Sequence, residues 1–222
     1  MFETVFYYAI LSFEALVGVV GIRLYEEPSY RVVESLPGGV EIRHYAPRVA
    51  AEITLPLGGA EPASDTAFRA LFGYIAGANR KAAGAEGDGG EKIAMTTPVE
   101  VRGGERVAMT TPVQAESRRA DSGAGGMRMQ FFLPARYGVD TAPRPTDPRV
   151  RIVAVPAQSI AALRFSGRVG AAMPAERVTA LLEALKALSL RPAGEPVLLT
   201  YDAPFTIPFL RRNEIAVVVE RR

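Results

Sequence analysis

The apolar pattern of this chain presents the same order of elements twice: short strands, one helix, then strands again. The first half predicts three short strands, a helix, the MTTPV strands and one more strand, in YRVVES, GVEIRHY, RVAAEITL, SDTAFRALFGYIAGANRK, EKIAMTTPV and MRMQFFLP. The second half predicts two strands about Pro156, a helix in PAERVTALLEALKAL, and the strands PVLLTYD and NEIAVVVE. This order is typical of an α+β fold in which an antiparallel sheet carries both helices. We therefore predict one domain of two similar halves, joined by the stiff, proline-rich connector APRPTDPRV.

Each predicted helix carries an apolar stripe at helical spacing. Ser64 or Asp65 fits the N-cap position of the first helix. The stripe of the first helix consists of Phe68, Leu71, Phe72 and Ile75, and that of the second consists of Val178, Leu181, Leu182, Leu185 and Leu188.

The amino-terminal segment is the most apolar part of the chain. Residues 4–22 (TVFYYAILSFEALVGVVGI) approach the ~20 residues that span a bilayer, but Glu14 near the middle makes a span costly. The first three residues also lack the basic start of a signal peptide. We predict a hydrophobic helix in residues 1–25, followed by the domain of residues 26–222. The helix either lies on a membrane surface through residues 2–22 or packs on its own domain.

The composition excludes several kinds of site. Lys and Arg number 26 against 24 Asp and Glu, so despite a pI of about 9.0 the chain lacks the charge excess of a nucleic-acid-binding protein. The absence of cysteine excludes disulfides, thiolate nucleophiles and sulfur-bound metals, and it fits a reducing, cytoplasmic compartment. His44 is the single histidine, which excludes clusters of imidazole ligands. No Ser-His-Asp arrangement, HExxH motif or P-loop is legible, so we predict no catalytic site.

A short motif occurs twice, as KIAMTTPV and then RVAMTTPV, with EVRGGE between the copies. The Gly-Gly pair predicts a hairpin. A register that pairs Val101 with Val107 and Val99 with Met109 places the apolar side chains on one face, and burial favours it. The proline of each copy cannot donate to a strand ladder, so it marks a bulge or a strand end. The doubled motif is therefore either a duplicated hairpin arm or a tandem ligand site.

Eight stretches follow one another along residues 26–222: EEPSYRVVE, VEIRHYAPRVAAE, FGYIAGANRK, EKIAMTTPV, MRMQFFLP, RPTDPRV, ALRFSG and YDAPFTIPFLRRNEIAVVVE. In this order they resemble the SOUL, or haem-binding protein, family. The first MTTPV copy and the RRNE element, far apart in the domain, make the resemblance specific, whereas animal members lack the second copy. The resemblance implies a distorted, barrel-like antiparallel sheet from two pseudo-symmetric halves, each with one helix. To this fold the present chain adds the predicted N-terminal helix.

The resemblance also implies non-covalent binding of haem or another tetrapyrrole in an apolar groove beside the first domain helix. Such a ligand requires a flat apolar slot, cations for its two carboxylates and, optionally, an axial ligand to iron. The candidate slot residues are those of the first helical stripe, Phe68, Leu71, Phe72 and Ile75. The alternative is that this stripe is plain core.

Basic candidates lie at the margin of that stripe and near the carboxyl terminus. Arg69 is the first candidate for a propionate partner, because a guanidinium binds carboxylate in a fork; the alternative is a solvated helix charge. Tyr74 and Arg80 share the margin. A lysine that some family members carry in the YDPP loop is replaced here, where the chain reads FTI, and Arg211 and Arg212 are candidate substitutes. A structural pairing of Arg212 with Glu214 or a backbone carbonyl is the other interpretation of RRNE.

His44 is the candidate axial iron ligand, since it stands in EIRHY, where one branch of the family carries its proposed axial histidine. Strand alternation predicts that His44 shares a face with Ile42, while Arg43 and Tyr45 lie on the other. The alternative is a half-exposed histidine at a sheet rim. The methionines of the doubled motif are softer candidate ligands, with sheet core as the alternative.

The predicted function is a haem or porphyrin carrier, buffer or chaperone without enzymatic activity. Two alternatives stay open: a tetrapyrrole-processing enzyme, and a sensor or adaptor that binds another flat apolar ligand or a partner helix.

Overall fold

The computed structural model describes residues 25–56, 62–81, 90–102, 126–169, 173–186, 188, 190–203 and 205–221 of the 222-residue chain. Within these ranges it contains two helices, α1 (Ala63–Ile75) and α2 (Ala175–Lys186), and a short 3-10 helix (Pro208–Leu210). The strands are β1 (Tyr30–Leu36), β2 (Val40–Tyr45), β3 (Arg48–Pro56), β4 (Asn79–Arg80), β5 (Val99–Arg102), β6 (Gly126–Phe132), β7 (Arg144–Pro145), β8 (Arg151–Val155), β9 (Gln158–Phe165), β10 (Leu190–Pro192), β11 (Val197–Thr200) and β12 (Asn213–Arg221).

Ten of these strands form one sheet, in the order β1-β2-β9-β12-β11-β5-β6-β3-β8, with β10 paired to β12. All of its strand pairs are antiparallel. The two halves meet where β11 pairs with β5, with Leu198 opposite Val101. The predicted α+β fold, an antiparallel sheet with one helix in each half, is confirmed.

The sheet curls into a half-barrel. Strands β2 and β3 stand second and eighth in its order, yet only Ala46 and Pro47 separate them in the chain. The guanidinium carbon of Arg48 lies 4.4 Å from the ring centroid of Tyr45 and 4.6 Å from that of Phe132. Since side chains from distant strands meet on this face, it is the concave one, and we call it the inner face. Strand alternation assigns to it Arg43, Tyr45, Glu100, Gln130, Phe132, Leu199, Tyr201, Glu214 and Ala216.

Both helices pack on the opposite face, here called the helix face. Helix α1 covers a core with β3 and β6 that contains Ile53, Leu71 and Met129. Helix α2 covers a second core with β9, β10 and β12 that contains Leu181 and Ile215. Each helix thus buries an apolar side against its own half of the sheet, which includes Leu71 and Ile75 of the predicted α1 stripe but not Phe68 and Phe72.

The start of α1 differs from the prediction. The helix begins at Ala63 after Pro62, and no side chain caps it. The carbonyl of Pro62 accepts the first backbone bonds, from the N–H groups of Asp65 and Thr66. Proline already holds its φ near the helical value, at −54°, so the helix starts there, before either predicted cap residue.

The first MTTPV copy is a strand only at its last residue. Strand β5 begins at Val99, directly after Pro98, and the preceding described residues take part in strand pairing only through an isolated bridge between Thr96 and Glu26. Pro98 has no N–H to donate, so the prediction of a strand end at this proline is confirmed. The second copy, with the predicted hairpin register, lies outside the described residues.

The predicted N-terminal helix also lies outside the described residues. Among the helices within the described ranges, none is both long enough and apolar enough to cross a bilayer.

Candidate functional site

Helix α1 divides the four predicted slot residues into two pairs. Leu71 and Ile75 are buried in the core, at 0% and 3% exposure, so for them the plain-core interpretation holds. Phe68 and Phe72 are 37% and 38% exposed. Their rings are nearly parallel, with 6.0 Å between centroids and 12° between planes. We call Phe68 and Phe72 the aromatic ledge.

The geometry of the helix explains this division. Ala67, Leu71 and Tyr74 recur at helical spacing and face the sheet, all buried. The ledge residues follow one position later, about 100° around the helix axis, which places them at the edge of the packed face. Phe68 still meets the ring of Phe131 edge-on at 5.5 Å, so the core supports the ledge from below.

The prediction that Arg69, Tyr74 and Arg80 lie at the margin of the α1 stripe is only partly correct. Arg69 follows Phe68 in the chain and is exposed, and Arg80 is exposed on β4. Tyr74 is not a margin residue but a core residue at 1% exposure, because its hydroxyl finds a buried acceptor in the carbonyl of Pro143 at 2.9 Å. Burial raises the pKa of Tyr74 above its ordinary value.

His44 lies on β2 and is exposed to solvent. Its Nδ1 lies 3.4 Å from the hydroxyl of Ser159. As predicted, it shares the helix face with Ile42, whose side chain belongs to the core beneath α2. His44 therefore belongs to the half of the sheet that carries α2, whereas the aromatic ledge belongs to the half that carries α1. Within the described part of the chain, no group of three or more metal-ligating side chains is positioned to hold a metal ion.

The inner face contains a charged cluster centred on Glu214, which is completely buried. Its carboxylate accepts two hydrogen bonds from Arg43, at 2.6 and 3.0 Å. It also accepts one from the Tyr201 hydroxyl at 2.7 Å and one from Arg212 Nε at 2.9 Å. We call these four residues the Glu214 network. The predicted pairing of Arg212 with Glu214 is confirmed.

Electrostatics keep the network ionised. Burial by itself would raise the pKa of Glu214, but the hydrogen bonds and charges of Arg43 and Arg212 hold it below the ordinary value. Burial likewise opposes the charge of Arg43, and the bond to Glu214 overcomes it and raises the pKa of Arg43. Burial and the neighbouring carboxylate raise the pKa of Tyr201. A carboxylate saturated by four donors has no lone pair to offer as a general base, so the cluster is suited to holding strands together.

The sequence interpretation missed Arg43 as a member of this network. Alternation placed Arg43 on the same face as Tyr45, which is correct. The burial of this face was not predicted, because a sequence does not reveal that the sheet curls it inward. A buried charge needs a partner, and besides Glu41 two residues before it, Arg43 has its fully buried partner 171 residues away.

Several solved structures share this fold. The C-terminal domain of EcmrR is 9% identical, the match covers 87% of this chain and 99% of that chain, and the TM-score is 0.51. A hydrolase from Listeria innocua is 12% identical, with 85% and 94% coverage and a TM-score of 0.51. Another hydrolase from Listeria innocua is 11% identical, with 83% and 93% coverage and a TM-score of 0.53. At these identities the similarity shows the fold alone.

A comparison with curated proteins gives no match. A family model described as SOUL heme-binding protein matches residues 25–218, which include all of α1, β2 and the Glu214 network. Because this match covers nearly the whole chain, the chain belongs to the SOUL heme-binding protein family.

Proposed function

We propose that this protein binds haem or a related tetrapyrrole non-covalently, as a carrier, buffer or chaperone, and that the macrocycle lies against the aromatic ledge. The observation that carries the proposal is the pair of nearly parallel, half-exposed rings on α1. Exposed aromatic side chains supported by a packed core are typical of surfaces that bind flat apolar ligands. Membership of a heme-binding family makes a tetrapyrrole the leading candidate.

The residues around the ledge fit such a ligand. Two phenyl rings offer an apolar surface, and Arg69 on the same helix offers a guanidinium for a propionate. His44 lies in the other half of the sheet and not beside the ledge, so it stays a separate candidate for the axial ligand. Bound haem would supply iron coordination and redox chemistry, while the protein supplies the apolar surface and the charge.

We place the protein among binding proteins and not among enzymes. The deeply buried carboxylate of Glu214 is fully occupied by its arginine and tyrosine partners, so it is poorly suited to acid-base chemistry. Product analysis after incubation with haem tests the enzymatic alternative, and recovery of unmodified haem supports a carrier. A cytoplasmic location with membrane-surface association through residues 2–22 stays a prediction.

Titration of the purified protein with haemin, followed by the Soret band, tests the proposal. We expect saturable binding, and Phe72→Ala should weaken it by about tenfold to hundredfold, the equivalent of one buried phenyl ring. Arg69→Gln, in the same titration, should weaken binding through loss of the charge. Val33→Ala, which trims a 49% exposed apolar side chain on β1, is the control and should bind as the wild type does.

Two results would count against the proposal in different ways. A wild-type isotherm no tighter than that of an unrelated protein would refute haem binding. If haemin binds tightly to the wild type and equally tightly to Phe72→Ala, the aromatic ledge is not the binding site. Repeating the titration without residues 1–24 measures what the amino-terminal segment contributes.

A further inference from the structure

The inner face opens into a cleft beside the Glu214 network. Its volume is about 320 Å³, and its lining includes Tyr30, Glu41, Arg43, Arg164, Arg212 and Glu214. This volume is at the lower end of the roughly 300–1,000 Å³ found for small-molecule sites. The cleft lies on the sheet face opposite the helices, so it is separate from the aromatic ledge.

Arg164 is the cation of this lining that has no counterion within the part of the chain that the structure describes. It stands directly opposite Glu214 in the pairing of β9 with β12, where an ion pair between strands would be expected. Glu214 is already saturated by the other members of its network. Among the described residues, Arg164 makes no side-chain hydrogen bond or ion pair, and its side chain is exposed to solvent.

The remaining groups of the lining set the charge and shape of the ligand. Three arginines face two glutamates in the lining, and Arg212 also pairs with Glu27, which is not part of the lining, so Arg164 is the one cation there without a carboxylate partner among the described residues. The Tyr30 hydroxyl is a second donor, and it has no hydrogen-bond partner among the described residues. Elsewhere on the inner face, Arg48 Nε and Nη1 are buried with no partner in the described part of the chain. The face therefore offers more guanidinium donors than its own carboxylates use.

We propose that this cleft binds a small organic anion with one carboxylate group, held chiefly by Arg164. A guanidinium binds carboxylate in a two-pronged geometry, and the Tyr30 hydroxyl supplies a further donor. A cation is disfavoured, because the one fully buried carboxylate of the lining is already neutralised by Arg43 and Arg212. A dianion such as phosphate is disfavoured, because Arg43 and Arg212 are already bonded to carboxylates and Arg164 alone cannot balance a second negative charge.

Titration of the full-length apoprotein with benzoate, followed through the arginine Nε–Hε signals in NMR spectra, tests this site. We expect a saturable shift of the Arg164 signal. Arg164→Gln should weaken benzoate binding by about tenfold to hundredfold, the loss expected for a charged hydrogen bond. Arg164→Lys, which keeps the charge and loses the fork, should bind with intermediate affinity. Circular dichroism spectra that match the wild type show that the variants fold.

Arg31→Gln is the matched control. It removes the same charge from neighbouring β1, but its side chain lies on the opposite face, across from His44, so benzoate binding should persist. Phe72→Ala should also leave benzoate binding intact, which separates this site from the proposed tetrapyrrole site. Benzylamine, a cation with the same ring, should produce no saturable shift.

Three results would overturn the proposal. The first is a response to benzoate no different from that to sodium chloride at equal ionic strength. The second is wild-type affinity in Arg164→Gln. The third is tighter binding of inorganic phosphate than of benzoate, which would refute the carboxylate class.

Discussion

Glu214 is a fully buried carboxylate that lies between two arginines, Arg43 and Arg212. We expect Glu214→Gln to lower the free energy of unfolding by about 3 kcal/mol, the lower end of the range for breaking a buried ion pair. Arg43 and Arg212 lose their one fully buried counterion and keep only the partly exposed carboxylates of Glu41 and Glu27. Urea unfolding at pH 7 measures this loss. Glu183→Gln is the control, since its carboxylate pairs with Lys186 on the exposed surface of α2 and should matter little. Equal losses in the two variants would contradict the structural role of the network.

The same residue predicts how stability depends on pH. Its pKa is depressed in the folded state, so ionised Glu214 stabilises the fold above the unfolded pKa, which is about 4.3 for glutamate. That contribution is lost as the pH falls through the lower, folded pKa. The difference in unfolding free energy between wild type and Glu214→Gln should therefore narrow below about pH 4.3. Parallel pH profiles for the two proteins would show that Glu214 does not titrate in this way.

The proposed role of His44 as an axial ligand can be tested with little effect on stability, since the side chain is exposed on β2. If its imidazole ligates iron, His44→Ala should move the Soret maximum of the haemin complex, because the axial ligand changes. Ser159→Ala removes the neighbour at 3.4 Å but keeps the imidazole, so its spectrum should match the wild type. An unchanged spectrum in His44→Ala would remove this residue from the axial role.

On helix α1, adjacent residues should contribute to different properties: Leu71 to the stability of the fold and Phe72 to the proposed binding of haem. Leu71→Ala should lower the free energy of unfolding by about 2–5 kcal/mol, because it opens a cavity beneath the helix. Phe72→Ala should change it by no more than about 1 kcal/mol, since that ring is partly in solvent. Chemical denaturation measures both.

Leu181→Ala is the matched control for these helix variants, as an equally buried leucine on α2. It should destabilise the fold as Leu71→Ala does, yet retain haemin binding under native conditions. An equal loss of stability in Phe72→Ala and Leu71→Ala would mean that the ledge belongs to the core.

The two helices and most of the strands could be predicted from the spacing of apolar residues in the sequence. Alternation in VEIRHY placed Ile42 and Arg43 on opposite faces, and the spacing of Val178, Leu181 and Leu185 gave the buried side of α2. Local rules failed where a proline competed with a side-chain cap, at the start of α1. They also missed the short strands β4, β7 and β10, each only two or three residues long, which exist only because a distant partner is present.

We propose that the two halves fold as one domain. Three pairs of residues between β5 and β11 join the halves, and the curl of the sheet brings Arg48 of β3 against Tyr45 of β2. We therefore expect one cooperative unfolding transition for the full chain, with the same midpoint by far-ultraviolet circular dichroism and tyrosine fluorescence.

The two leucine variants test this cooperativity, because each opens a cavity in a different half. Leu71→Ala and Leu181→Ala should each shift the whole transition to lower denaturant. Two separate transitions, only one of which responds to a given variant, would show that the halves unfold independently.

The sequence by itself determined the repeated order of elements, the helix-facing core and the family, because these depend on local periodicity and on motifs read directly from the chain. Residues 68, 71, 72 and 75 could be chosen as one stripe, but their division into core and ledge needed the angle at which α1 meets the sheet. Only the tertiary structure decided that Arg43 is buried and that Arg164 has no counterion among the residues that the structure describes. Both outcomes depend on Glu214, a residue far along the chain that the curl of the sheet brings to them and that can satisfy only a limited number of donors.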